Sequence, residues 1–166
     1  MRTLIALSAL VLVIAAPPAV AQMGGGMGMS SSSSGPNPQQ AYAAGVAAYN
    51  AHNYVEAIRQ LRNARSAAPN NGGVNFALGL AYIGAGQKQD AREALTRAVR
   101  DRNAPPGAYL QLGLVSLDLG DRATATAQQV AVQDQRGRCD AACGDARRAQ
   151  WQAAYDQLTR ALATPS

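Results

Sequence analysis

Residues 72–105 read GGVNFALGLAYIGAGQKQDAREALTRAVRDRNAP, and this stretch decides the fold. Gly79, near its centre, recurs 34 residues earlier as Gly45 and 34 residues later as Gly113. A glycine at a helix crossing lets two backbones approach closely, while a large residue from the neighbouring helix fills the space beside it. Repetition at this period is typical of stacked supersecondary units. The spacing therefore predicts tandem helix pairs.

Other positions keep the same register. Twelve residues after each glycine stands an alanine: Ala57, Ala91 and Ala125. In the first two units a leucine follows four residues later, at Leu61 and Leu95, and then a second alanine, at Ala64 and Ala98. The third unit departs from the pattern, because Gln129 occupies the leucine position, Val132 the second small position, and Gly137 the place of a closing proline. The predicted helices are 39–51, 54–67, 72–85, 88–102, 106–119 and 121–135. The departures in the third unit leave open whether the last of these helices is regular.

This pattern resembles the tetratricopeptide repeat, a unit of 34 residues that folds as a helix, a tight turn and an antiparallel helix. The second unit carries the resemblance best, through Leu78, Gly79, Tyr82, Gly86, Ala91, Leu95 and Ala98. The resemblance implies an all-α, right-handed solenoid of three helix-turn-helix repeats, at about 38–71, 72–105 and 106–137. Solenoids also need capped ends.

A seventh helix is predicted at 144–163 as the C-terminal cap. Its large and small apolar residues fall on one face at helical spacing: Trp151, Ala154, Tyr155, Leu158 and Leu162. Together with the three repeats, this helix would complete a domain that covers residues 39–163.

The chain has 166 residues, enough for one compact domain, and its composition is 48% hydrophobic but only 5% aromatic. It contains one histidine, two cysteines and few acidic residues, so a metal enzyme with several protein ligands is almost excluded. No catalytic constellation or phosphate-binding glycine motif is found in the sequence. We therefore expect a non-enzymatic protein without a cofactor or bound metal.

Residues 1–21 have the pattern of a cleavable signal peptide. Arg2 gives a positive start, an apolar run follows, and Ala19, Val20 and Ala21 form a small-x-small cleavage pattern, so we expect maturation at Gln22. A retained membrane anchor is the alternative, but the apolar run is shorter than the about 20 residues that span a bilayer. The prediction is a periplasmic or secreted protein without an integral anchor after cleavage. Despite the net charge of +5, nucleic acid is not the expected partner in that compartment.

Residues 22–38 are rich in glycine, serine and methionine and predict a flexible linker. Met23, Met27 and Met29 are either incidental or soft ligands for Cu(I). Cys139 and Cys143 are predicted to form a disulfide, as exported cysteines tend to do. The alternatives are an interchain bridge and a copper site, because a C-x3-C pair resembles that of periplasmic copper-delivery proteins. Those proteins, however, have a thioredoxin-like fold.

The resemblance also implies where a partner would bind. In tetratricopeptide arrays the first helix of each repeat forms the concave surface, and the corresponding residues here are mostly apolar. They are Tyr42, Val46, Tyr49, Asn50, Phe76, Leu80, Ile83, Leu110, Leu114 and Leu117. They do not reproduce the basic, amide-lined groove with which the family's chaperone-tail binders grip a terminal carboxylate. A peptide or helix of another protein is the predicted ligand; the sequence identifies neither this partner nor the oligomeric state.

Arginines concentrate on the second helices of the first two repeats: Arg59, Arg62, Arg65, Arg92, Arg97, Arg100 and Arg102. These residues belong to the outer layer of the predicted solenoid. They form either a solvated face or a surface that attracts anionic envelope polymers or lipid headgroups.

Overall fold

The computed structural model of the protein describes residues 37–139 and 143–164. Within these ranges it contains seven α-helices and no β-strand. The helices are α1 Pro38–Asn50, α2 Tyr54–Ala67, α3 Gly72–Gly84, α4 Lys88–Ala98, α5 Pro106–Asp118, α6 Arg122–Arg138 and α7 Asp145–Ala163. The predicted signal peptide, most of the predicted linker and the methionine cluster lie outside the described residues.

The helices pack in sequential pairs. α1 packs against α2, α3 against α4 and α5 against α6, while α2–α3 and α4–α5 contacts join successive pairs. α7 packs against both helices of the third pair. The described residues therefore form an all-α helical solenoid of three helix pairs with a C-terminal capping helix, which confirms the predicted fold class.

Four of the seven described helices, α1, α2, α3 and α6, start at a side-chain cap. Four side chains accept a hydrogen bond from a backbone N–H in the first turn, at 2.9–3.2 Å, and so satisfy groups that have no partner within the helix: Asn37, Asn53, Asn71 and Asp121. The cap at Asn37 makes Pro38 the first helical residue of α1, although the sequence predicted Pro38 as the end of the linker.

The turn inside each repeat uses one residue with positive φ. Gly86 and Gly120 have φ of +73° and +78°, and the equivalent position in the first repeat is His52, with φ of +58°. A histidine in this left-handed region pays a steric cost that glycine avoids. The His52 Nδ1 atom shares a 2.8 Å hydrogen bond with the Tyr54 hydroxyl. This local bond holds the ring at the turn.

The repeated glycines lie against buried leucines. A Cβ atom added at Gly45 would lie 2.6 Å from Leu61 Cγ, and one added at Gly79 would lie 2.7 Å from Leu95 Cγ. Both leucines are fully buried. These are the interlocking contacts that the register predicted.

The third repeat makes the same contact with a residue from outside it. Gly113 is met by Leu158 of α7, which is fully buried. Gln129, which stands in the leucine position of the register, is half-buried, and its Nε2 donates a 2.8 Å hydrogen bond to Thr159 Oγ1. The capping helix thus supplies the leucine that the third repeat lacks.

Most helix limits agree with the prediction to within one residue, and only the ends of α4 and α6 differ by more. α4 ends at Ala98 rather than at residue 102, because Asp101 accepts hydrogen bonds from the backbone N–H groups of Asn103 (2.9 Å) and Gly72 (2.7 Å). These two bonds, that of Asn103 first, hold the pKa of the Asp101 carboxyl below its usual value. They also tie the segment after α4 to the start of α3, and so close the second repeat.

α6 is regular and continues three residues beyond its predicted end at 135. Val132 is fully buried on it. The Arg136 guanidinium lies over the Tyr155 ring, 4.5 Å from the centroid, and donates a 2.9 Å hydrogen bond to Gln152 Oε1. The second helix of the third unit thus packs against α7, where the unit departs from the repeat pattern.

Cys139 and Cys143 are joined by a disulfide, with their Cα atoms 5.2 Å apart. Cys139 ends α6, and Gly144, with φ of +75°, precedes α7. The bridge therefore links the C-cap of α6 to the residue before the N-cap of α7, in agreement with the predicted pairing within the chain.

No helix in residues 37–139 and 143–164 combines the length and the apolar character that a membrane span requires.

Candidate functional site

The structure brings six of the ten predicted groove residues together around one cavity of about 230 Å³. We call this cavity the apolar groove. Its lining comprises these six residues, Tyr42, Val46, Tyr49, Asn50, Phe76 and Leu80, together with Leu61 and Ala77. None of the eight is charged.

The apolar groove follows from the spacing of residues on two neighbouring first helices. Tyr42, Val46 and Tyr49 recur at intervals of four and three on α1, which places them on one face, and Phe76 and Leu80 do the same on α3. α1 contacts α3 directly, so the two faces meet. The groove is thus a product of stacking between the first and second repeats.

A second uncharged cavity, of about 340 Å³, adjoins the apolar groove at Tyr42. It lies at the start of α1 and is lined by Pro38, Gln39, Tyr42, Ala64, Ala68, Asn71, Gly73 and Val74. Tyr42 lines both cavities and is 37% exposed, so it forms their shared, accessible wall. The register of first-helix positions does not predict this cavity, because most of its lining comes from the junction between α2 and α3.

Three other predicted groove residues lie elsewhere. Ile83, Leu114 and Leu117 line a cavity of about 470 Å³ whose opposite wall includes Ala161 and Thr164 at the end of α7. The capping helix thus covers part of the predicted concave surface. The residues of that surface line separate cavities.

The tenth predicted residue, Leu110, is 9% exposed and belongs to a core cluster with Trp151 and Leu158. Its side chain serves the packing of α5 against the capping helix. The same register position that faces a cavity in the second repeat is therefore covered in the third.

The uncharged lining decides what the apolar groove can bind. Burial of apolar surface is favourable, whereas burial of an unpaired charge is costly. A partner's apolar side chain can enter the groove without desolvating a charge on this chain. The Asn50 amide at the rim offers a donor and an acceptor that can orient a partner's backbone.

The arginines of the predicted outer face lie on α2 and α4, except for Arg100 and Arg102, which follow the end of α4. Arg59 donates a 2.8 Å hydrogen bond from Nε to Glu56 Oε2, and Arg97 pairs with Glu93. The Arg59 guanidinium, followed by the Gln60 amide, lowers the pKa of Glu56 to about 2. Some of the predicted arginine face is thus neutralised by local pairs.

Chemistry at the two cysteines is limited by their disulfide, which leaves no thiolate for a metal. In the part of the chain that the structure describes, no three side chains of His, Cys, Asp or Glu stand together in a group that could hold a metal ion. The cavities described above are the binding surfaces that these residues offer.

Comparison with known proteins agrees with the geometry. Residues 48–114 match the family model of the tetratricopeptide repeat. A solved structure of MamA from Desulfovibrio magneticus RS-1, from residue 41 to its end, is similar at 24% identity, with a TM-score of 0.59, and covers 64% of this chain and 60% of its own. A double mutant of MamA from RS-1 gives 25% identity, a TM-score of 0.59, and coverage of 63% and 59%.

A further crystal structure of MamA, 19% identical, covers 77% of this chain and 80% of its own with a TM-score of 0.55. This chain spans about three-fifths of the length of the first two MamA structures. No curated protein sequence matches the chain.

Proposed function

We propose that this chain, whose residues 48–114 match the tetratricopeptide-repeat model, is a non-enzymatic protein-interaction scaffold that binds a peptide or helix of a partner protein in the apolar groove. The observation that carries the proposal is the convergence of six predicted residues from α1 and α3 on one cavity without a charged wall. A cavity at the surface with this lining is a site for apolar anchors.

The volume of the apolar groove supports a side-chain anchor. An apolar cavity of about 150 Å³ is large enough to hold benzene. The groove, at about 230 Å³, has room for a branched aliphatic or an aromatic side chain. The adjoining cavity beyond Tyr42 offers a second position of the same character. An amphipathic helix or an extended apolar peptide can present two such anchors in sequence.

Val46→Ser tests the groove against a matched control, Val130→Ser. Val46 lines the groove, whereas Val130 lies on α6, is 52% exposed and lines neither the groove nor the cavity that adjoins it. A buried apolar anchor is worth about 1.5–3 kcal/mol, so we expect recovery of the partner to fall about tenfold or more for Val46→Ser and to stay unchanged for Val130→Ser. The measurement is a crosslinking pull-down from intact cells, quantified by mass spectrometry.

Two further variants complete this test. Tyr42→Ser should lose the same partner, since Tyr42 lines both uncharged cavities. A combined change of Arg59, Arg62 and Arg65 to Gln should keep it. Circular dichroism must first show the wild-type helix content for every variant. If folded groove variants keep the partner while the arginine variant loses it at physiological salt, the proposal is wrong.

We also propose that the scaffold works in the periplasm or outside the cell, after removal of residues 1–21. The support is the apolar run and the small-x-small pattern that ends at Ala21. The expected result is a mature chain that begins at Gln22, measured by intact mass on protein purified from the exported fraction. A chain that retains Met1 would contradict the proposal.

A further inference from the structure

We propose that the cleft between α2 and α4 is a second binding surface, which takes an acidic and partly apolar segment of a protein. This arginine cleft measures about 490 Å³. Its lining is Val55, Ile58, Arg62, Arg65, Tyr82, Ala85, Gln87, Asp90, Glu93 and Arg97. It shares no lining residue with the apolar groove, so the two surfaces can be occupied at once.

The charge of the arginine cleft favours an acidic ligand. Arg97 in the arginine cleft is paired with Glu93 four residues earlier. Arg62 and Arg65, by contrast, have no ion pair or side-chain hydrogen bond to any residue that the structure describes. Asp90 lies in the first turn of α4, where a carboxylate stabilises the helix dipole. Two unpaired guanidinium groups therefore face one unpaired carboxylate, and the cleft has an excess of positive charge.

The lining of the arginine cleft also has an apolar part. Ile58 and Tyr82 are largely covered, whereas Val55 is 80% exposed, the highest of the exposed large hydrophobic residues of the described chain. A surface that only attracted a polyanion would need charge and no apolar contact. A protein segment with both a carboxylate and an apolar side chain uses both halves of this cleft, because guanidinium groups bind carboxylates in bidentate geometry.

The experiment pans a random peptide library on the wild-type protein, on Arg62→Gln/Arg65→Gln, and on Arg138→Gln/Arg160→Gln. The last variant loses the same charge at two exposed positions outside both surfaces. The expected wild-type selection is a class of peptides that combine aspartate or glutamate with a large apolar residue. Affinity is then measured by fluorescence anisotropy at physiological salt.

Loss of two charge-assisted contacts is expected to weaken these peptides about tenfold or more in Arg62→Gln/Arg65→Gln. The control double variant should bind as the wild type does. Val55→Ser should weaken the peptides as well, while Tyr42→Ser should leave them unchanged. A loss confined to Tyr42→Ser would assign the peptides to the apolar groove and overturn this proposal without affecting the proposed function.

Three further results would overturn the proposal of a second binding surface. One is a selection without an acidic and apolar class. Another is equal weakening by both arginine double variants, since that would reflect overall charge. The third is a different ligand class: if polyglutamate or phosphatidylglycerol vesicles displace the peptides as well as the unlabelled peptide does, the cleft is a general polyanion surface.

Discussion

Leu158→Ala is expected to lower the free energy of unfolding by about 2–5 kcal/mol, a large change for one side chain. Leu158 is fully buried and fills the space beside Gly113 that a leucine of the same repeat fills in the first two units. Its removal leaves a cavity between the capping helix and the third repeat. Chemical denaturation followed by circular dichroism measures the loss.

Leu162→Ala is the matched control for this change. Leu162 lies on the same helix, one turn later, but is only partly buried, so its truncation should cost less. Amide hydrogen exchange adds a local readout, because α7 should lose protection before α1 to α4 in Leu158→Ala. Equal costs for the two truncations would contradict the role assigned to Leu158.

Leu95→Ala, in the middle of the array, is also expected to lower the free energy of unfolding by about 2–5 kcal/mol. Leu95 is fully buried and interlocks with Gly79. The reverse change, Gly79→Ala, introduces a Cβ atom 2.7 Å from Leu95 Cγ and Cδ2, and such overpacking costs about 1–3 kcal/mol. Both values come from urea denaturation of the single variants.

The double variant decides whether these two residues interlock. In Gly79→Ala/Leu95→Ala the new methyl group no longer meets the leucine and occupies part of the space that it left. We therefore expect the double variant to be more stable than the sum of the single losses implies, by about 0.5–3 kcal/mol. Strict additivity would show that the two residues do not interact.

The helix pairs could be predicted because their determinants are periodic. Gly45, Gly79 and Gly113 give the period, and the leucines of the first two repeats follow at fixed distance. The source of the third leucine could not be predicted, since Leu158 stands outside the 34-residue register and meets Gly113 only after the capping helix packs. Sequence spacing reports contacts within a repeat better than contacts between a repeat and a cap.

The apolar groove was predictable to the extent that it depends on first-helix positions. Tyr42, Val46 and Phe76 meet as the register implies. Leu110 has an equivalent position but is buried, because α7 packs against α5. The arginine cleft combines Arg62, on the second helix of the first repeat, with Tyr82, on the first helix of the second repeat. Its apolar lining is a result of packing and has no periodic signal.

The contact between Gly113 and Leu158 also bears on how such a chain can evolve. A duplication or deletion of one 34-residue block upstream of the third repeat preserves a glycine and its own leucine in each unit before the third. The third repeat does not carry its partner within the block, so it can be exchanged only together with α7. We therefore expect gene rearrangements that change the length of this array to be tolerated in its first two repeats, and the third repeat to need the capping helix beside it.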